Sequence, residues 1–285
     1  MSWHSPSGQV QCLLMEEQER FMPNPDRIGL LTSTVLLALA LARLIPSTGF
    51  NVEIQLPGFL VDLPLNIAAI MGILTAGLTA TGMDWLIRGH PSLKGRTTLQ
   101  WWLLPTLTTF IISIALSILS AQRTWWIGFI IGGVIIFFVF LAEYIVVDAD
   151  APYYTLAVAG LTAISYALFF ILSIALRSSG LRLFIILPTL FFASMLTSLR
   201  ILHLRTSGKW EYAWSLGMGL ICIQLAAGLH YWPVTPIQFG LLLIGPLYGV
   251  INLAINLGDN IPTRRATLEP SVVTALCWGL AILIR

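Results

Sequence analysis

Glu143 is the residue whose chemistry most constrains this chain. Its flanks, Phe137 to Ala142 and Tyr144 to Val147, are almost wholly apolar. A carboxylate inside such a run must be neutral or partnered, because isolated burial of its charge is prohibitive. Asp148 and Asp150 follow shortly after it. Asp84 and Arg88 stand four residues apart, with His90 just beyond, and Arg200 and His203 stand three apart on one helical face. All eight residues fall near the ends of apolar runs that should reach the same membrane surface. Together they would give carboxylates, guanidinium groups and titratable imidazoles on one face, a set able to bind a metal or an anionic headgroup. The competing reading is a row of helix-end ion pairs, such as Asp84–Arg88 at i,i+4. Long basic side chains at helix ends also reach the interface by snorkelling and need no special role.

For Glu143 the expectation is sharper. It lies 18 residues beyond Trp125, or about 27 Å along a helix at 1.5 Å per residue. That depth is just inside the far boundary of a hydrocarbon core about 30 Å thick. A partner must come from another helix end, and Arg200 and Arg88 are the cations on offer, with His203 beside them. The expectation is Glu143 turned into the bundle with one of the two arginines in ion-pair reach.

Specific catalytic signatures are missing from the sequence: it has no GxSxG, HExxH, Walker A lysine loop or GxGxxG. Glu16-Glu17 followed by Arg20 has the wrong spacing for a glutamate-type membrane protease motif. Asp148-x-Asp150 is a DxD of the kind that holds metal in some sugar transferases, but no large soluble domain accompanies it. His230, before Tyr231-Trp232-Pro233, could serve as a haem or pigment ligand, or simply sit at the interface. Cys12, Cys222 and Cys277 form no CxxC or Cys/His cluster, which argues against a disulfide framework or zinc site. No metal and no cofactor is expected, and no catalytic residue is assigned.

The elements that must position these residues follow from composition. Of 285 residues, 57% are hydrophobic and 10% charged, with a mean hydropathy of +0.85. Soluble domains carry about 25% charge, so the bilayer is the solvent that suits this chain. The net charge of +2 argues against nucleic acid as a partner. Nine apolar runs are each about long enough to span: 28–45, 65–86, 102–120, 125–147, 154–176, 181–201, 212–231, 237–256 and 269–285. The last is the shortest, and eight spans remain if it does not cross. The predicted fold is all-α: residues 1–27 form a cytoplasmic tail and 28–285 a single transmembrane helical domain. The connection 46–64, with its alternating Asn51–Leu56, reads as a small extended segment or a re-entrant dip.

With the N-terminus inside, ten Lys and Arg residues fall on the inner side (Arg20, Arg27, Arg88, Lys94, Arg96, Arg200, Arg205, Lys209, Arg264, Arg265) and five outside. This bias sets the orientation and puts the C-terminus outside. Tryptophans such as Trp85, Trp101, Trp125, Trp210 and Trp232 sit near predicted span ends, as an aromatic belt requires. Small or hydroxyl residues recur at helical spacing: Thr106, Thr109, Ser113, Ser117 and Ser120; Gly72, Ala76 and Ala80; Gly128 and Gly132; Ser215, Gly219, Cys222 and Ala226; Gly245, Gly249, Asn252 and Asn256. They suit close helix packing, the alternative being a substrate path. Leu104-Pro105-Thr106-Leu107 recurs as Leu187-Pro188-Thr189-Leu190 in a span of opposite direction, a weak form of the inverted repeats with interrupted helices found in transporters.

Several stretches carry a family resemblance: Gly82-Met83-Asp84-Trp85 running to His90-Pro91, Ala142 to Asp148, Leu199 to Arg205, and Leu229 to Pro233 continuing into Phe239 to Pro246. Over roughly residues 25–285 they resemble an uncharacterised bacterial family of polytopic membrane proteins. The resemblance implies a single membrane domain in the cell (plasma) membrane and brings no activity or catalytic residue. The leading functional expectation is a non-catalytic accessory or assembly protein, with membrane lipids and a protein partner around it. The alternatives are a small-solute or lipid transporter, and an enzyme acting on a lipid at the cytoplasmic face.

Overall fold

The computed structural model describes residues 25–45, 50–56, 59–65, 67–90, 93, 98–119, 121–206, 208 and 210–284. The proposed tail, apart from its last three residues, and Lys94, Arg96, Ser120 and Lys209 lie outside them. Among the described residues nine long helices follow one another: α1 (Pro25–Leu44), α2 (Ile67–Arg88), α3 (Leu99–Ile118), α4 (Gln122–Val146), α5 (Tyr154–Ser178), α6 (Leu183–Arg205), α7 (Tyr212–His230), α8 (Pro236–Gly258) and α9 (Thr263–Leu283). Each is long and apolar enough to cross a membrane. Between α1 and α2, β1 (Phe50–Leu56) and β2 (Phe59–Leu65) pair antiparallel, with Phe50 opposite Leu65 and Leu56 opposite Phe59. Of the two readings of this connection, the extended one is what the chain adopts.

Two apolar cores divide the bundle. One joins α1 and α2 to one face of α4 through Val35, Met83, Ile136 and Phe140. The other gathers Leu104, Val139, Leu161, Leu168, Phe169, Leu190, Met218 and Leu247 from α3 to α8. The fourth helix is the wall between them, because Ile136 and Phe140 look one way and Val139 and Val146 the other. Both α3 and α5 pack on α4 and on α6, and they also pack on each other. The four helices form a quartet whose second diagonal runs from α4 to α6.

Small residues set the close approaches. A Cβ on Gly72 would stand 2.8 Å from Ser113 Oγ, one on Gly132 2.8 Å from Ile112, and one on Gly219 2.7 Å from Phe191. In lipid no hydrophobic force draws helices together, so backbone proximity and interhelical hydrogen bonds must hold them. On the α3 hydroxyl stripe Thr106 donates to the carbonyl of Trp102, Thr109 to that of Pro105 and Ser117 to that of Ile114, and Thr109 Oγ1 also accepts from Thr79 Oγ1 of α2 at 3.1 Å. The two Leu-Pro-Thr-Leu elements leave α3 and α6 continuous. In each, the threonine after the proline bonds the carbonyl four residues back, Thr106 to Trp102 and Thr189 to Ile185.

The ninth helix begins at Thr263, six residues before the expected start. The six added residues include Arg264 and Arg265, which no apolar run would contain. Pro270 sits in the third turn, buried against α8 beside Gly249. The turn into this helix is a Schellman closure: Asn260 is left-handed at φ +56°, its N–H meets the carbonyl of Leu257 at 3.1 Å, and Ile261 N–H meets that of Asn256 at 3.1 Å. From there α9 is fastened to α8 along its whole length. Asn256 Nδ2 donates to Ala266 O at 3.1 Å, Thr274 Oγ1 to Gly245 O at 3.0 Å, Trp278 Nε1 to Leu242 O at 3.2 Å, and Gln238 Nε2 to Ile284 O at 2.6 Å. Gly245 and Gly249 allow this approach, since a Cβ at Gly249 would lie 2.7 Å from Thr274 Oγ1.

Candidate functional site: a buried carboxylate–guanidinium pair

Glu143 occupies the last turns of α4, on the boundary between the two cores, and its residue exposure is 0%. Arg200 lies in the last turns of α6 and is 1% exposed, the largest fully buried side chain among the described residues. Arg200 Nε donates to Glu143 Oε1 at 3.1 Å, and Nη2 donates to Oε2. Both carboxylate oxygens are thus engaged by one guanidinium fork, the planar two-point geometry in which arginine binds carboxylates best. The pair links α4 to α6 across the second diagonal of the quartet. Arginine is long enough to do this from α6, and Glu143 sits one turn beyond Val139 and Phe140, where α4 faces inward.

The other sequence-derived residues lie at the same end of the bundle but in separate settings. Asp84 pairs with Arg88 at 2.8 Å and accepts a hydrogen bond from Thr98 Oγ1; Arg88 is 71% exposed, so this contact is a surface feature. His90 is buried, and its ring lies 4.5 Å from that of Tyr144. Burial pushes the His90 imidazole below its ordinary value, with the Asp148 carboxylate pulling the other way. Asp148 also accepts from the backbone N–H of Asp150 at 3.1 Å, closing the turn between α4 and α5. His203 stacks on Trp210 at 4.3 Å. The eight residues therefore divide into a sealed pair, a surface pair, an imidazole–tyrosine contact with its turn, and a stacked histidine. Among the described residues, no three His, Cys, Asp or Glu side chains converge as a metal site would require.

A second polar contact inside the spans was not anticipated. Tyr248 on α8 donates to Glu269 Oε1 on α9 at 3.2 Å, and the Tyr248 ring lies 5.6 Å from that of Tyr166 on α5. The missing signal was the true start of α9, which places Glu269 well inside a helix rather than at the edge of one. At the opposite end of the bundle, Arg177 donates to the carbonyls of His230 and Trp232, both at 3.3 Å, and contacts His230 Nδ1 at 3.4 Å. His230 thus belongs to a clamp that holds the end of α5 against the α7–α8 turn.

A family described as protein of unknown function (DUF5656) matches residues 47–284. The chain belongs to that family. Its match starts before the β1–β2 hairpin and runs to the end of α9, so the quartet, the pair and the α8–α9 unit all fall within it. No curated protein and no solved structure matches the chain.

Proposed function

We propose that this DUF5656 protein is a non-catalytic integral membrane protein with an accessory or assembly role, and that Glu143–Arg200 is the internal tie of its bundle. The observation that carries the reading is the sealing of that pair. A carboxylate and a guanidinium face each other at 0% and 1% exposure with both carboxylate oxygens engaged. A catalytic or transport site needs its charged groups open to substrate, whereas a structural tie needs them closed. The inward hydroxyls support the same reading: Ser165, Ser173 and Ser194 each donate to a carbonyl of their own helix, as the α3 threonines do. Small residues at the helix contacts serve packing, which is what a rigid partner-binding scaffold in lipid requires.

The same proposal places the protein in the cell membrane with the α2, α4 and α6 C-termini on the cytoplasmic side, following the ten-to-five distribution of basic residues. Reporter fusions at Lys94 and Trp232 test the orientation: a cytoplasmic signal at Trp232 with an external one at Lys94 would reverse it. Co-purification with mass spectrometry tests the role. The full-length protein, extracted in mild detergent after cross-linking, should bring down a membrane protein in fixed stoichiometry. Solute uptake or lipid turnover that depends on the protein and is lost in Glu143→Gln at unchanged abundance would overturn the reading.

A further inference from the structure

Along one flank of the α8–α9 contact runs a groove of about 420 Å³, a volume in the range of ligand-binding clefts, about 300–1,000 Å³. Pro246, Gly249 and Leu253 form its α8 wall, and Thr267, Ser271 and Trp278 its α9 wall. Its walls are held in place by the hydrogen bonds that fasten α9 to α8, so the groove is preformed. From Thr267 to Trp278 it extends about 16 Å at 1.5 Å per residue. That is about half of a hydrocarbon core about 30 Å thick, the depth of one leaflet.

Charge marks one end. Arg264 is exposed and stands one turn before Thr267, and at about 100° per residue it falls on the same stripe of α9 as Thr267 and Ser271. Glu269, two residues past Thr267, falls about 200° round the helix, on the far flank where it meets Tyr248. Among the described residues no acidic side chain lines the groove. The groove thus has a cation at its mouth, mostly apolar walls for one leaflet's depth, and Glu269 turned away from it.

We propose that this groove is a binding site for an anionic phospholipid, one acyl chain lying between α8 and α9 and the phosphate against Arg264. Basic pockets between transmembrane helices recognise anionic headgroups in this way, each basic residue contributing about 1 kcal/mol. The site is distinct from the Glu143–Arg200 pair, and its failure would leave the accessory reading untouched.

The test is a titration of the full-length protein in mixed micelles with phosphatidylglycerol or phosphatidylcholine, read by native mass spectrometry for retained lipid and by the thermal midpoint. Phosphatidylglycerol should be retained in preference and raise the midpoint. Arg264→Ala should weaken that binding about fivefold, the equivalent of one cationic contact, while Arg264→Lys keeps it. Ser271→Trp, which fills the groove and leaves the charge, should abolish retention. Equal stabilisation by phosphatidylcholine, unchanged retention in Arg264→Ala, or the same midpoint rise from inorganic phosphate alone would each overturn the proposal.

Discussion

Arg200 on α6 reaches Glu143 on α4 across the second diagonal of the quartet and holds both of its carboxylate oxygens. The cost of taking both charges out of water is offset only because the geometry is two-pronged and complete. Shortening the cation should therefore be felt. Arg200→Lys keeps the charge but loses the fork, and should lower stability by roughly 1.5–3 kcal/mol, the worth of one charged hydrogen bond. Unfolding of the purified protein in bicelles measures this; a variant as stable as wild type would show that the fork is not what holds the diagonal.

The α8–α9 approach depends on a missing side chain. Gly249→Leu would place a branched group where even a Cβ lies 2.7 Å from Thr274 Oγ1. Overpacking of this kind costs about 1–3 kcal/mol, and the strain should release α9 before the rest of the bundle. Hydrogen exchange read by mass spectrometry should show faster exchange confined to 263–283 in the variant. Uniform exchange across all helices would mean that α9 is not a separately attached element.

Arg177 ties α5 to the α7–α8 turn by donating to two carbonyls. Arg177→Ala should cost roughly 1 kcal/mol, since these bonds are long and partly exposed. The local consequence is faster proteolysis of the segment 230–235, and a cleavage rate equal to wild type would contradict the clamp.

His90 gives the protein an acid sensitivity. Its folded pKa is depressed by burial, despite Asp148, so below the ordinary histidine range the unfolded chain binds more protons than the folded one. Stability from this group is fully present above the ordinary histidine pKa and is lost as pH falls through and below it. The thermal midpoint should fall between pH 8 and pH 5.5, and His90→Phe, which keeps an aromatic partner for Tyr144, should flatten that fall. An identical slope in the variant would remove His90 as its source.

The spans were legible because each is a long apolar run, and Glu143 was legible because helix rise alone fixes its depth. Ends were less so. The run 269–285 leaves out 263–268, where Arg264 and Arg265 interrupt the apolar sequence, and inside the helix Glu269 and Pro270 are accommodated by α8: Tyr248 meets the carboxylate and Gly249 makes room for the proline. The polar residues at one end could be assigned to a common surface but not distributed around it. Whether Glu143 meets Arg200 or Arg88 depends on which helices adjoin, and that is set by the Gly–side-chain contacts between spans, which periodicity within one span does not encode.

The account rests on Glu143–Arg200 being a structural tie, and a double-mutant cycle tests it most directly. Glu143→Met and Arg200→Met should each leave a buried charge unpaired and lower stability by about 3–5 kcal/mol. The double variant Glu143→Met/Arg200→Met removes both charges and fills the space with apolar groups, and it should return to near wild-type stability while still capturing the same protein partner. A double variant no more stable than the singles, or one that folds normally but loses the partner, would contradict the claim.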